Sequence, residues 1–162
     1  MTVARLCDGG EKLRRQTNRR WPRRDRASDG WIGDRDHSNR KSDHNPYMGV
    51  VYAIDLDENM GKVGKWRNGR TAQRLADELI AYAASNLPGS NRIKYVVYEG
   101  SIASGTYKKT FWRWRGKKYG HTQHIHVSFT HAAKDDGQVF PLPCLTKNAK
   151  KKKKWTKDLY GK

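Results

Sequence analysis

Residues 120–130, GHTQHIHVSFT, constrain this chain more than any other stretch. From His124 onward polar and apolar residues alternate: His124, His126, Ser128 and Thr130 on one side, Ile125, Val127 and Phe129 on the other. A period of two marks a half-buried strand, because successive side chains point to opposite faces. Both imidazoles then leave one face of a rigid element. That placement suits a metal ion, or a metal ligand beside an acid/base. It equally suits a pair of solvent-facing polar positions, and the pattern alone leaves both open.

A second anomaly lies upstream. In residues 49–57, GVVYAIDLD, the residues Val50, Tyr52, Ile54 and Leu56 alternate with Val51, Ala53, Asp55 and Asp57. A carboxylate at Asp55 inside an otherwise apolar strand is costly unless it is paired or bound to metal. Asp57 can simply begin the following turn. The preceding residues, 28–49, are dominated by Gly, Asp, Asn, Ser and Pro. They read as an ordered, irregular loop that carries His37 and His44.

The remaining elements are expected to form the scaffold. Ala72, Leu75, Ala76, Leu79, Ile80 and Ala83 recur at helical spacing, which predicts a core-packing helix over 71–86 with Thr71 as N-cap. A short amphipathic helix is expected over 10–20, anchored by Leu13 and Trp21 and stopped at Pro22. Residues 92–99 read as a strand. Residues 107–119, YKKTFWRWRGKKY, read as a basic aromatic hairpin arm turning at Gly116. Its tryptophans either stack on bases or sugars, or face inward with the arginines out.

A length of 162 residues suits one domain. No apolar run approaches the ~20 residues of a membrane span, and MTVARLCDGGEKLRRQ lacks the apolar stretch of a secretory signal. Synthesis and folding in a cytoplasm are expected. The isolated Cys7 and Cys144 give no argument for a disulfide. A net charge of +18 implies attraction to polyanions: nucleic acid, an anionic membrane face or an acidic wall. The basic block around Arg14, Arg15, Arg19, Arg20, Arg23, Arg24 and Arg26 suits polyanion contact or a solvated helix face. The composition changes after Pro141, which predicts a domain over 1–140 and a flexible basic tail over 141–162, with a lysine run at 150–154.

Together, His44, Asp55 and His126 make a three-ligand set sufficient for catalytic Zn2+, with a fourth position left for water. His124, on the same strand face as His126, is placed to act as a base. Structural zinc sites usually have four protein ligands, often cysteines, and neither cysteine is near these motifs.

The motifs SDHNP, VVYAIDLD and HTQHIHVS resemble the zinc peptidases of the D-alanyl-D-alanine carboxypeptidase, murein endopeptidase and lysostaphin group. They are most similar to members common in actinobacterial phages. The resemblance covers roughly residues 28–130. It implies an α+β fold with a small antiparallel sheet and flanking helices, of the hedgehog/D-Ala-D-Ala-peptidase kind. It makes His44, Asp55 and His126 the zinc ligands, with His44 closing a Ser-x-His motif that begins at Ser42. His121 and His124 match the earlier histidines of a His-x-x-His-x-His pattern that line the active site. The carboxypeptidase branch has a catalytic Glu three residues before the final His. Here that position is Gln123, so the base role passes to His124 or His121, with Glu99 as a fallback. The separation of His44 and Asp55 exceeds the group's usual spacing, and NPYMG must absorb the excess. His37, Arg40 and Ser42 are expected to contact a substrate carboxylate.

The function so implied is a monomeric peptidoglycan peptidase: a phage endolysin or virion-borne wall hydrolase, made in the host cytoplasm and acting after lysis-linked release. The competing reading is a basic nucleic-acid-binding protein with a structural or vestigial metal site.

Overall fold

A computed structural model describes residues 3–33, 41–61, 70–106 and 108–146. Its principal elements, in chain order, are β1 (Arg5–Leu6), α1 (Asp8–Arg20), β2 (Val50–Val51), β3 (Ala53–Asp57), α2 (Arg70–Ala84), β4 (Ile93–Tyr98), β5 (Ser101–Ser104) and β6 (His124–Phe129). The class is α+β, as expected. The antiparallel sheet runs β3-β6-β4-β5, and β1 pairs with β2 in a separate parallel ribbon.

Alternation along the strands splits the sheet into two chemical faces. Ile54, Leu56, Val96, Tyr98, Ile125, Val127 and Phe129 join Leu75, Ala76, Leu79 and Tyr82 of α2 in one core. The opposite face carries Asp55 and His126, which are directly paired across β3 and β6, and Tyr95 opposite Ser128 across β4 and β6. An irregularity between Ile93 and Tyr95 interrupts the β4–β6 ladder at Lys94. One extra residue there lets Ile93 stay on the core side and Tyr95 on the polar side.

Two glycines, poor helix formers, open α1 and fix where it can sit. A Cβ on Gly9 would lie 2.8 Å from Ala133 Cβ, and one on Gly10 would lie 2.9 Å from Leu6 Cδ1. The helix backbone therefore packs directly against β1 and the short turn after β6. Asp8 and Glu11 in its first turn, with Arg19 and Arg20 in its last, match the helix dipole.

Three expectations about the scaffold need correction. Helix α2 begins at Arg70, so Thr71 is inside the first turn and not its cap. The aromatic arm is no regular hairpin: a 3-10 turn at Lys108–Thr110 precedes a single bridge between Ile102 and Arg115. Trp112 and Trp114 pack against the core, with Trp114 Nε1 donating to Asp77 Oδ1 at 2.8 Å, while Arg113 is exposed. The domain boundary expected after 140 falls inside a core segment. Leu142 and Cys144 are buried, and the Cys144 N–H donates to Glu78 on α2. The rest of the expected tail, 147–162, lies outside the described residues.

Candidate metal centre

The polar face of the sheet is covered by two loop segments whose backbones are stitched to it. Gly30 exchanges both main-chain hydrogen bonds with Asp55, the Gly33 N–H donates to His44 O, and the Tyr52 N–H donates to Asp43 O. Ser42 Oγ accepts the His44 N–H at 3.2 Å, a local turn that fixes the backbone just where the imidazole departs. The long separation of His44 and Asp55 is absorbed by a tight reversal. Tyr47 and Val50 exchange main-chain hydrogen bonds, and Met48 and Gly49 both hold positive φ, 50° and 79°. Glycine tolerates that conformation, which is one reason Gly49 suits the turn.

Three donors converge from these separate parts of the chain. His44 Nε2 lies 3.1 Å from His126 Nδ1 and 3.3 Å from Asp55 Oδ2, and His126 Nδ1 lies 3.0 Å from Asp55 Oδ1. A tetrahedral zinc with bonds of about 2.0–2.1 Å separates its ligands by roughly 3.3 Å, so these donors fit around one small cation. The remaining ring nitrogens are occupied as second partners of metal-bound histidines usually are. His44 Nδ1 meets the Trp31 carbonyl at 2.9 Å, and His126 Nε2 meets Ser128 Oγ at 2.8 Å. His44 and His126 are both buried. Sequence reasoning therefore identified a set that the fold assembles.

His121 and His124 adjoin it. His121 Nδ1 is 2.6 Å from His124 Nε2, which is 3.6 Å from Asp55 Oδ2, and the His121 ring centroid is 4.9 Å from that of His126. Asp55, His121 and His124 form a second grouping with ligand-type atoms in mutual reach. The short His121–His124 contact makes it a hydrogen-bonded pair beside the first set. Glu99 belongs to neither grouping. It sits exposed in the β4–β5 turn, where its N–H donates to His121 O.

Electrostatics follow from packing four imidazoles around one carboxylate. Burial opposes charge on Asp55, but hydrogen bonds from His126 and His44 hold its carboxyl well below the usual range. Burial also works against His44, yet the Asp55 hydrogen bond and charge outweigh it and raise its pKa. In His126 burial wins, and its pKa is lowered. Burial, together with the neighbouring His126, pushes His121 down to about 4. An unfolded chain would protonate His121 near its ordinary value, well above the folded one, so this residue costs stability as pH falls between those values. The raised pKa of His44 acts oppositely, with its contribution lost as pH rises. In metal-free protein scanned by calorimetry from pH 7 to 4, His121→Asn is therefore expected to lose less melting temperature than wild type. Asparagine tolerates the positive φ of 55° at this position. Equal slopes would overturn the assignment.

Beside Asp55 opens a cleft of about 460 Å³ lined by Arg14, Arg26, Asp29, Gly30, Trp31, Ile32 and Ile54. Arg14 is tied to Glu11, and Asp29 is held by buried Arg24 and by the Asp57 N–H. The Arg26 side chain is exposed at the rim. Part of the basic block thus serves internal pairing. Arg20 also donates to Cys144 O. His37 and Arg40 lie outside the described residues. Sequence reasoning did not find the cleft, because Trp31 and Arg26 carry no chemical anomaly until the Gly30–Asp55 pairing brings them beside the centre.

No family model, curated protein or solved structure matches the chain.

Proposed function

We propose that this protein is a zinc-dependent peptidase that hydrolyses an amide bond in peptidoglycan stem peptides or cross-bridges, as a phage endolysin or virion-associated wall hydrolase. The observation that carries the reading is the convergence of His44, Asp55 and His126 on one point, with His121 and His124 alongside. The motif resemblance supplies the substrate class and the hedgehog/D-Ala-D-Ala-peptidase comparison.

A zinc ion held by His44, Asp55 and His126 would supply Lewis acidity, polarising a carbonyl and acidifying water. The chain's own groups handle the protons. His124 Nε2 is the histidine nitrogen nearest Asp55 outside the ligand set, and it accepts a proton from the attacking water. His121, kept neutral by burial, meets that nitrogen at 2.6 Å, and the contact opens when His124 takes the proton. Once protonated, His124 delivers its proton to the leaving amine. Trp31 and Ile32 offer apolar walls to a peptide, and Arg26 offers a guanidinium to a stem-peptide carboxylate.

Arg26→Ala is expected to raise KM about tenfold with little change in kcat, the loss of one hydrogen-bonded charge contact made equally in ground and transition states. Steady-state kinetics on a soluble stem-peptide fragment would read it. An unchanged KM would remove Arg26 from the substrate cleft.

The competing nucleic-acid reading would draw on Trp112 and Trp114, which pack against the core yet stay partly exposed in a cleft with Phe111 and Arg113. A salt-sensitive gel shift with DNA that ignores chelators would favour it. The direct test of the peptidase is digestion of purified peptidoglycan by zinc-loaded protein, with mass spectrometry of the fragments. New amine termini at one position, lost on chelation, support it. Zinc bound stoichiometrically with no fragments from several wall types would sink it.

A further inference from the structure

A second cleft, of about 580 Å³, opens between α2 and the aromatic arm. Ile80 of α2 lines one side, Phe111, Trp112 and Trp114 supply ring surface, and Asp77 and Arg113 are its charged members. It shares no lining residue with the cleft beside Asp55. It belongs to the α2 side of the sheet, whereas Asp55 and His126 occupy the other face, with Asp55 on β3 at the edge opposite β5.

The rings of this cleft are held in place. Trp114 Nε1 donates to Asp77 Oδ1 at 2.8 Å, which ties that indole to α2. Trp112 holds φ 50°, a left-handed conformation that is strained for a bulky side chain. Its N–H donates to Ser104 O at 3.0 Å. A Cβ on Gly105 would lie 2.9 Å from Trp112 Nε1, so a side chain there would displace the indole. Phe111 meets Trp112 edge to face, 6.3 Å between centroids, and is 52% exposed. Backbone strain that presents large rings at a surface marks a place shaped for contact.

We propose that this cleft binds a sugar ring of the wall's glycan strand, anchoring the protein while the metal centre meets the peptide. The inference rests on the peptidase reading for its ligand class. A pyranose has an apolar face of C–H bonds and a rim of hydroxyls. Ring faces with a few polar groups between them match that shape. The Asp77 carboxylate accepts from hydroxyls, and the exposed Arg113 guanidinium donates to an N-acetyl carbonyl. Charge separates this ligand from nucleic acid. On a chain of net charge +18, the cleft itself carries one acid and one base. Asp77 opposes a phosphate there, and an uncharged aminosugar meets no such opposition.

The test titrates the full chain, in the presence of chelator, with an uncharged oligomer of N-acetylglucosamine, followed by calorimetry. Chelation removes cleavage, so binding is read alone. Wild type is expected to bind, and Phe111→Ala and Trp112→Ala each to weaken binding about three- to tenfold. Both variants should also be retained less on intact peptidoglycan. Zinc-loaded Phe111→Ala should still cut a soluble stem-peptide fragment at the wild-type kcat/KM. If Trp112→Ala fails to fold, Phe111→Ala, whose ring is largely in water, carries the test. Wild type that binds no oligosaccharide up to millimolar concentration, or binding that neither folded variant weakens, overturns the proposal. Oligothymidylate bound in place of the saccharide, and lost in the same variants, also overturns it and gives the cleft to nucleic acid. Saccharide binding by a protein that cuts no wall leaves this inference standing and removes only the peptidase. Stem-peptide cleavage without saccharide binding does the reverse.

Discussion

His126→Ala is expected to abolish stoichiometric zinc binding and wall cleavage together. The substitution removes one of three donors that sit 3.0 to 3.3 Å apart, and it leaves Asp55 with one partner fewer. The loss in affinity should exceed the about 10–100-fold cost of removing an outer partner of a ligand. His124→Ala should behave differently. It takes away a proton carrier and spares the three donors, so zinc stays bound while kcat falls about 10²–10⁴-fold. Metal content after dialysis, measured beside fragment release, separates the two. A His126→Ala protein that keeps both zinc and activity would move the centre elsewhere.

Arg92→Ala should produce the largest loss of stability, about 3–5 kcal/mol, read from the shift of a denaturant midpoint. Arg92 is fully buried at the start of the segment leading into β4. Its guanidinium donates to the carbonyls of Gly89, Gln138 and Asp136 and to the Tyr82 hydroxyl. It also lies 3.8 Å from the Phe140 ring centroid. One side chain thus ties α2, the turn before β4 and the segment 136–140 together. Truncation removes the donor from the Asp136 and Gln138 carbonyls, while Gly89 O keeps the Arg92 N–H, at about 1–3 kcal/mol each where water cannot enter. A midpoint shift worth under 1 kcal/mol would mean that water substitutes for the guanidinium.

The sequence was most readable where local periodicity and chemical oddity coincide. Alternation placed β3, β4 and β6, and helical spacing placed α2. The three donors stood out because a carboxylate in an apolar strand and histidines on one face demand an explanation. The parts that stayed hidden depend on contacts between distant residues. Arg92 reads as an ordinary polar residue opening a strand, and only the fold surrounds it with carbonyls. Asp43 reads as the variable position between Ser42 and His44, yet its carboxylate holds Lys94 of β4 and its carbonyl accepts the Tyr52 N–H. Composition misplaced the boundary near Pro141, because the lysines further on outweighed Leu142 and Cys144, which complete the core. The tryptophans of the arm read as a stacking platform or as inward-facing, the second being favoured, and both rings do pack against the core while staying partly exposed.

The direct opposition of Asp55 and His126 across β3 and β6 also bears on how the sheet assembles. Sliding β6 by one residue would turn both histidines into the apolar core. Sliding it by two would restore the faces but carry His126 roughly 6.6 Å along the strand, beyond reach of a cation shared with Asp55 and His44. A metal ion present while the chain folds would therefore penalise the one-residue slip, which removes every histidine of β6 from the polar face. At a concentration of 100 times its dissociation constant it would deepen the native alignment by about 2.7 kcal/mol. A cation held by these residues would then act as a proofreader of the sheet.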